Sequence, residues 1–218
     1  MARWRIDAAI PWRQSMSSAP GPLKNLYRDY LRQGRSLRDA GLWALAVYRY
    51  GVWSRQLPRP ARWITSKIYG GLVLALQMAT GTQIYRETRI GEDLHLVHAW
   101  NVLIHPDVVI GDRCTIMHEV TLGTNEPGRE GVPRIGNDVF IAAGAKILGP
   151  VTVGDGAVIA SNSLVLSDIP PGTTAIGVPA RLLRFPPGAP GDRKPAAGSS
   201  QLQSNGEVRT AGTDRTSR

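Results

Sequence analysis

The chain has 218 residues, 42% apolar but only 6% aromatic, with 24 Gly and 16 Pro. That length holds one main core with smaller attachments, and that composition fits a globular protein with an aliphatic interior and many turns. The formal charge of +9 suits an anionic small ligand or a solvated basic surface, whereas its scattered basic residues form no nucleic-acid motif and set that class aside.

The single cysteine, Cys114, cannot close an internal disulfide, which fits a reducing compartment. The basic stretch from Met1 to Arg13 is followed by no apolar run of signal-peptide length, and the run from Ile68 to Met78 is too short to span a bilayer. Together these features predict a cytoplasmic protein.

Residues 1–82 read as a helical N-terminal region. Ser36-Leu37-Arg38-Asp39 is a variant capping box, behind which Leu42, Leu45, Ala46, Tyr48 and Trp53 mark an apolar face. Pro58 and Pro60 stop that helix; a second is predicted over Ala61–Thr80, closed by Gly81 in a left-handed cap. The two helices are expected to pack on each other. A peripheral contact with a membrane surface is the alternative, because Trp43, Trp53, Trp63, Arg55, Arg59, Arg62 and Lys67 mix aromatic and basic groups.

Residues 83–184 carry the strongest signal. An aliphatic residue returns every six positions, at Ile84, Ile90 and Leu96, at Ile104, Ile110, Ile116 and Leu122, and at Ile135, Ile141, Ile147, Val153, Ile159 and Val165. Four positions after most of these anchors comes a second small or aliphatic residue, among them Thr88, Leu94, Cys114, Val120, Ala145 and Ser163. This hexapeptide repeat predicts a triangular parallel solenoid in which three hexads form one coil and coils stack about 4.8 Å apart. Cys114 then fills an inward slot and is expected to be inert.

Two interruptions mark where such a prism departs from regularity. The step from Leu96 to Ile104 is eight, and that from Leu122 to Ile135 is thirteen, so Gly123 to Arg134 forms a protruding loop. Residues 185–218 are Gly, Pro, Ser, Thr and Arg with few large apolar groups, and are expected to be a disordered tail.

A regular prism has no pocket, so chemistry is sought at the interruptions. His95, His98 and His105 surround the first and His118 precedes the second. His98 and His118 each stand two residues after an anchor and are expected to stack on adjacent coils. Histidine is the side chain best suited to take a proton from an alcohol near neutral pH, although a structural role is the competing reading of each of these four. No histidine and carboxylate spacing matches a recognised metal site, and none is assigned.

The segments Leu96-Val97-His98-Ala99, Val120-Thr121-Leu122-Gly123, Pro133-Arg134-Ile135-Gly136, Ala143-Gly144-Ala145-Lys146-Ile147-Leu148-Gly149 and Gly177-Val178-Pro179-Ala180-Arg181 resemble those of bacterial serine O-acetyltransferases and their relatives in exopolysaccharide gene clusters, within the hexapeptide acyltransferase superfamily. The resemblance implies a mainly β protein with a left-handed parallel β-helix, and a homotrimer with acetyl-CoA in the groove between prisms. It further implies direct acetyl transfer to a hydroxyl with His98 as base, whereas His118 and Glu119 stand where that family usually has neutral residues. Gly123, Ala143, Gly144 and Ser161 would let the pantetheine arm approach, and Lys146 and Arg181 would face the adenosine phosphates.

The resemblance breaks where that family grips its amino acid. Val97, Gln83 and Val132 stand where the family has two acids and a second histidine. L-Serine is the first expected acceptor, a saccharide hydroxyl the alternative, and a non-catalytic trimeric scaffold or a carbonic-anhydrase-like metal protein a further reading.

Overall fold

The six-residue period closes into a prism with three faces. In the computed structural model, residues 22–34, 36–125 and 131–183 are described. The first face pairs β1 (Gln83–Ile84), β4 (Leu103–Ile104), β7 (Thr121–Gly123), β10 (Lys146–Leu148) and β13 (Leu164–Val165). The second pairs β2 (Arg89–Ile90), β5 (Val109–Ile110), β8 (Arg134–Ile135) and β11 (Thr152–Val153). The third pairs β3 (His95–Val97), β6 (Thr115–Met117), β9 (Phe140–Ile141), β12 (Val158–Ile159), β14 (Thr174–Ile176) and β15 (Arg181–Leu183). These named pairings are parallel except β14 with β15, where the chain folds back antiparallel across the end of the prism.

Both inward positions of the repeat are where the sequence puts them. Anchors from Ile84 to Val165 are at most 7% exposed, and the second set, from Thr88 to Ser163, is equally enclosed. Each large aliphatic in this column contributes roughly 1.5–3 kcal/mol relative to exposure. Cys114 lies among them with its thiol against the Gly136 carbonyl at 3.1 Å. Burial pushes its pKa up to about 12, so it is a core filler.

Register locates the two interruptions. Ile104 pairs with Leu122 and Ile147 with Val165, one 18-residue coil apart, but Ile84 pairs with Ile104 after 20 residues and Leu122 with Ile147 after 25. The first case lengthens the turn between His98 (φ 51°) and Asn101 (φ 54°) by two residues, with Ala99 kept in the core and Trp100 turned out to solvent. The seven extra residues of the second form the loop after Gly123, of which 126–130 lie outside the described residues. The expectation of a disordered tail over 185–218 also falls outside them.

Among the described residues three helices precede the prism: α1 (Pro22–Arg32), α2 (Ala40–Ser54) and α3 (Arg59–Thr80). The cap of α2 differs from the capping-box expectation. Asp39 is the N-cap and its carboxylate accepts from the Gly41 amide at 2.8 Å, because it directly precedes the first turn and Ser36 is too far out to reach a free helix amide. Helix α2 buries Leu42, Leu45 and Tyr48, while Trp53 stays 37% exposed. Pro58 and Pro60 open α3 as well as ending what precedes it, and Gly81 closes it at φ 70° with its amide on the Gln77 carbonyl.

A buried ion pair fixes the helices to the first coil. Arg49 of α2 meets Asp29 of α1 with Nε and Oδ2 2.9 Å apart, and also donates to the Gly91 carbonyl at 2.9 Å. The Tyr48 hydroxyl donates to the Thr88 carbonyl at 2.8 Å. Helix α3 packs on α2 through Tyr69 beneath Gly51, where a methyl group would collide with the ring. None of its residues is fully buried. Among the described residues no helix is long and apolar enough to cross a membrane.

Candidate functional site

The anchors Leu96, Ile116, Ile141 and Ile159 stack in register on the third face. Two residues beyond each, where the chain turns toward the first face, stand His98, His118, Ala143 and Ser161. One edge of the prism therefore carries two histidines on its lower coils and two small residues on its upper coils, each step about 4.8 Å. Backbone hydrogen bonds run up this edge: the Glu119 amide donates to the Trp100 carbonyl at 2.8 Å, the Gly144 amide to His118 at 3.0 Å and the Asn162 amide to Ala143 at 2.9 Å.

His98 and His118 face each other with ring centroids 6.4 Å apart and planes tilted by 57°. His98 is exposed. His118 is half-buried, and among the described residues its Nδ1 is enclosed without a hydrogen-bond partner. A bare buried ring nitrogen costs about 1–3 kcal/mol unless something donates to it or accepts from it, so this atom is one that a ligand or water would satisfy.

The other two histidines stand apart from this edge. His95 lies on β3, where burial and the nearby Arg32 charge lower its pKa. His105 follows β4, and its Nδ1 accepts from the Asp107 amide at 3.3 Å. Among the described residues no group of three or more His, Cys, Asp or Glu is placed to hold a metal ion.

Of the residues expected along the pantetheine arm, Ala143, Gly144 and Ser161 share the histidine edge. Glycine is favoured at position 144: its φ is +75° and a Cβ would run into the Asn162 side chain. Gly123 does not share it. It lies across the first face at the foot of the loop, its carbonyl accepting from the Gly149 amide at 2.9 Å.

Lys146 and Arg181, expected near the phosphates, stand on neighbouring rungs of the prism. Lys146 turns its ammonium down the prism onto the Glu119 carbonyl at 2.5 Å. Arg181 lies toward the other end: it follows Ala180, whose amide donates to the Leu164 carbonyl at 2.7 Å, and Leu164 pairs with Lys146.

Trp100 was missed from sequence. It is 55% exposed, two residues beyond His98, with its amide on the His98 carbonyl at 2.6 Å and its carbonyl on Glu119. The eight-residue step located the bulge but not which side chain it turns out to solvent. At the positions where an amino-acid grip was lacking, the Gln83 side chain accepts from the Tyr85 hydroxyl at 3.3 Å and Val132 packs on the core.

Residues 133–167 match the bacterial transferase hexapeptide (six repeats) family model. The serine acetyltransferase of Salmonella typhimurium is 37% identical over 160 residues, 71% of this chain and 57% of that one. A soybean serine acetyltransferase apoenzyme structure superposes with a TM-score of 0.62 at 31% identity, over 78% of this chain and 72% of its own. The chain belongs to the serine acetyltransferase family. A family structure solved in complex with CoA superposes with a TM-score of 0.60 at 26% identity, over 78% of this chain and 73% of its own. The family fold is thus the left-handed β-helix with leading helices. The chain spans little more than half the length of the Salmonella relative.

Proposed function

We propose that this protein is an acetyl-CoA-dependent O-acetyltransferase in which His98 is the general base. The observation that carries the reading is the single edge on which His98 and His118 lead into Ala143, Gly144 and Ser161. A thioester laid along the small residues would present its carbonyl to the histidine end. The CoA-bound relative supports this choice of acetyl donor.

His98 takes the proton from the acceptor hydroxyl as its oxygen attacks the thioester carbonyl. The tetrahedral intermediate collapses with loss of the CoA thiolate, which receives that proton and leaves as the thiol. The acetyl group remains on the acceptor oxygen, and no covalent enzyme intermediate forms. The two histidines then have different tasks: exposed His98 reaches the hydroxyl, and His118, with Nδ1 unpaired, contacts the acceptor.

A prism edge is only one wall, so the reading requires a second prism beside it and makes the working form a homotrimer, with each acetyl-CoA between neighbours. Gly123 and Arg181, away from the histidine edge, are assigned to that groove from the resemblance. The relatives' names supply L-serine as first acceptor. A saccharide hydroxyl is the second reading, favoured by Trp100: an exposed indole beside the base offers a stacking face that a pyranose uses and serine does not. Thiol release from acetyl-CoA, with the acetylated product identified by mass spectrometry for L-serine, homoserine and methyl pyranosides, tests the activity and separates the acceptors. Absence of acceptor-dependent thiol release would reject the enzyme reading.

A further inference from the structure

Among the described residues, helix α3 presents a long unpartnered face. Its inner side carries Thr65, Tyr69, Val73 and Leu76 toward the rest of the protein, with Tyr69 under Arg86 and Leu76 against the core. Its outer side carries Ile64, Ile68, Leu72, Leu74 and Met78, all 40% exposed or more, with Trp63 beside them at 68%. On a helical wheel these residues cover about half the circumference, more than scattered surface apolar residues explain.

The charge on this helix is of one sign. Between Arg59 and Thr80 it contains no acid, and Arg59, Arg62 and Lys67 gather at its N-terminal end. With Trp63 and Ser66 they line a shallow hollow of about 360 Å³. Pro58 supplies no side-chain cap, so free amides of the first turn add positive potential there. Glu87, reached from Ser66 through Arg86, is held by Arg55 and Arg86.

Lys67 decides what covers the face. It stands within the apolar row, one turn after Trp63 and two before Leu74. A second copy docked on this face would enclose Lys67 against a helix with no carboxylate to pair it, which is unfavourable. At a lipid surface the same side chain lays its stem along the apolar row and carries its ammonium to a phosphate.

We propose that α3 docks flat on an anionic lipid bilayer, with Ile64, Ile68, Leu72 and Met78 at the acyl boundary and Lys67, which lies between Leu74 and Met78 on the helix surface, on a lipid phosphate, while Arg59 and Arg62 at the N-terminal end add long-range attraction to the anionic surface. This is independent of the acetyl-transfer reading. The test is flotation of the full chain with phosphatidylcholine vesicles with and without phosphatidylglycerol, alongside analytical ultracentrifugation. The wild type is expected to float with the anionic vesicles only, and less at high salt. Replacing all three cations (Arg59→Gln, Arg62→Gln, Lys67→Gln) should weaken binding roughly a hundredfold. The pair Ile68→Ser with Leu72→Ser should weaken it too, at unchanged oligomeric mass. A wild type that stays with the soluble fraction, or a triple variant that floats undiminished, overturns the proposal. So does a serine pair that lowers the oligomeric mass and leaves flotation intact, since a second copy would then be what covers the face.

Discussion

His98 and His118 occupy the same position on consecutive coils, their ring centroids 6.4 Å apart. They are 20 residues apart in sequence because the bulge of Ala99 and Trp100 lengthens one coil by two. The bulge leaves the rings in register while turning His98 into the left-handed region and pushing an indole out beside it. A strict 18-residue coil would stack the histidines without that exposed platform.

His118→Ala is expected to raise the acceptor Michaelis constant several-fold with a smaller change in turnover, since the residue is read as an acceptor contact. Steady-state kinetics with acetyl-CoA saturating measures this split. A larger loss in turnover than His98→Ala causes would exchange the two roles.

Two glycine substitutions separate fold from site. Gly144→Ala must place a methyl group at φ +75° against Asn162 and should cost about 1–3 kcal/mol in urea unfolding. At Gly123, by contrast, an added Cβ meets nothing within 4 Å, and Gly123→Ala should be near neutral for stability. If pantetheine passes there, the same change raises the Michaelis constant for acetyl-CoA.

Removing one partner of the Asp29 and Arg49 pair should be among the most damaging changes in the helical region. Arg49→Met leaves a fully enclosed carboxylate and is expected to cost about 3–5 kcal/mol by denaturant titration. Burial already raises the Asp29 pKa despite the guanidinium, so the stranded acid would take up a proton. The variant's deficit should therefore shrink as pH falls into the acidic range.

His95 predicts a pH dependence of stability. Burial lowers its pKa in the folded chain below the ordinary 6.5. As pH falls below about 6.5, the unfolded chain binds a proton that the folded chain refuses, so its contribution to stability is lost on acidification, by at most about 1.4 kcal/mol per pH unit. His95→Gln should flatten the urea midpoint across that window. An unchanged slope would mean that His95 does not titrate differently on folding.

The prism was legible because its period is set by sterics that admit few residues: Ile84 to Val165 declare the inward column without tertiary information. The histidine edge followed from the same arithmetic. The cap of α2 was misplaced by three residues because Ser36 and Asp39 both offer capping oxygens, and only chain geometry chooses between them. The direction of Lys146 was not legible, since a long side chain can reach either neighbouring coil and the free carbonyl of Glu119 decides it. Trp100 was missed because an eight-residue step says that the turn is two residues longer but not which side chain it turns outward.

The central claim is that His98 removes the acceptor proton. The direct measurement is acceptor-dependent thiol release by His98→Ala, with acetyl-CoA binding followed in parallel by calorimetry. Turnover is predicted to fall roughly a hundredfold to ten-thousandfold while the dissociation constant for acetyl-CoA stays within about twofold. A His98→Ala protein that turns over at the wild-type rate would contradict the account.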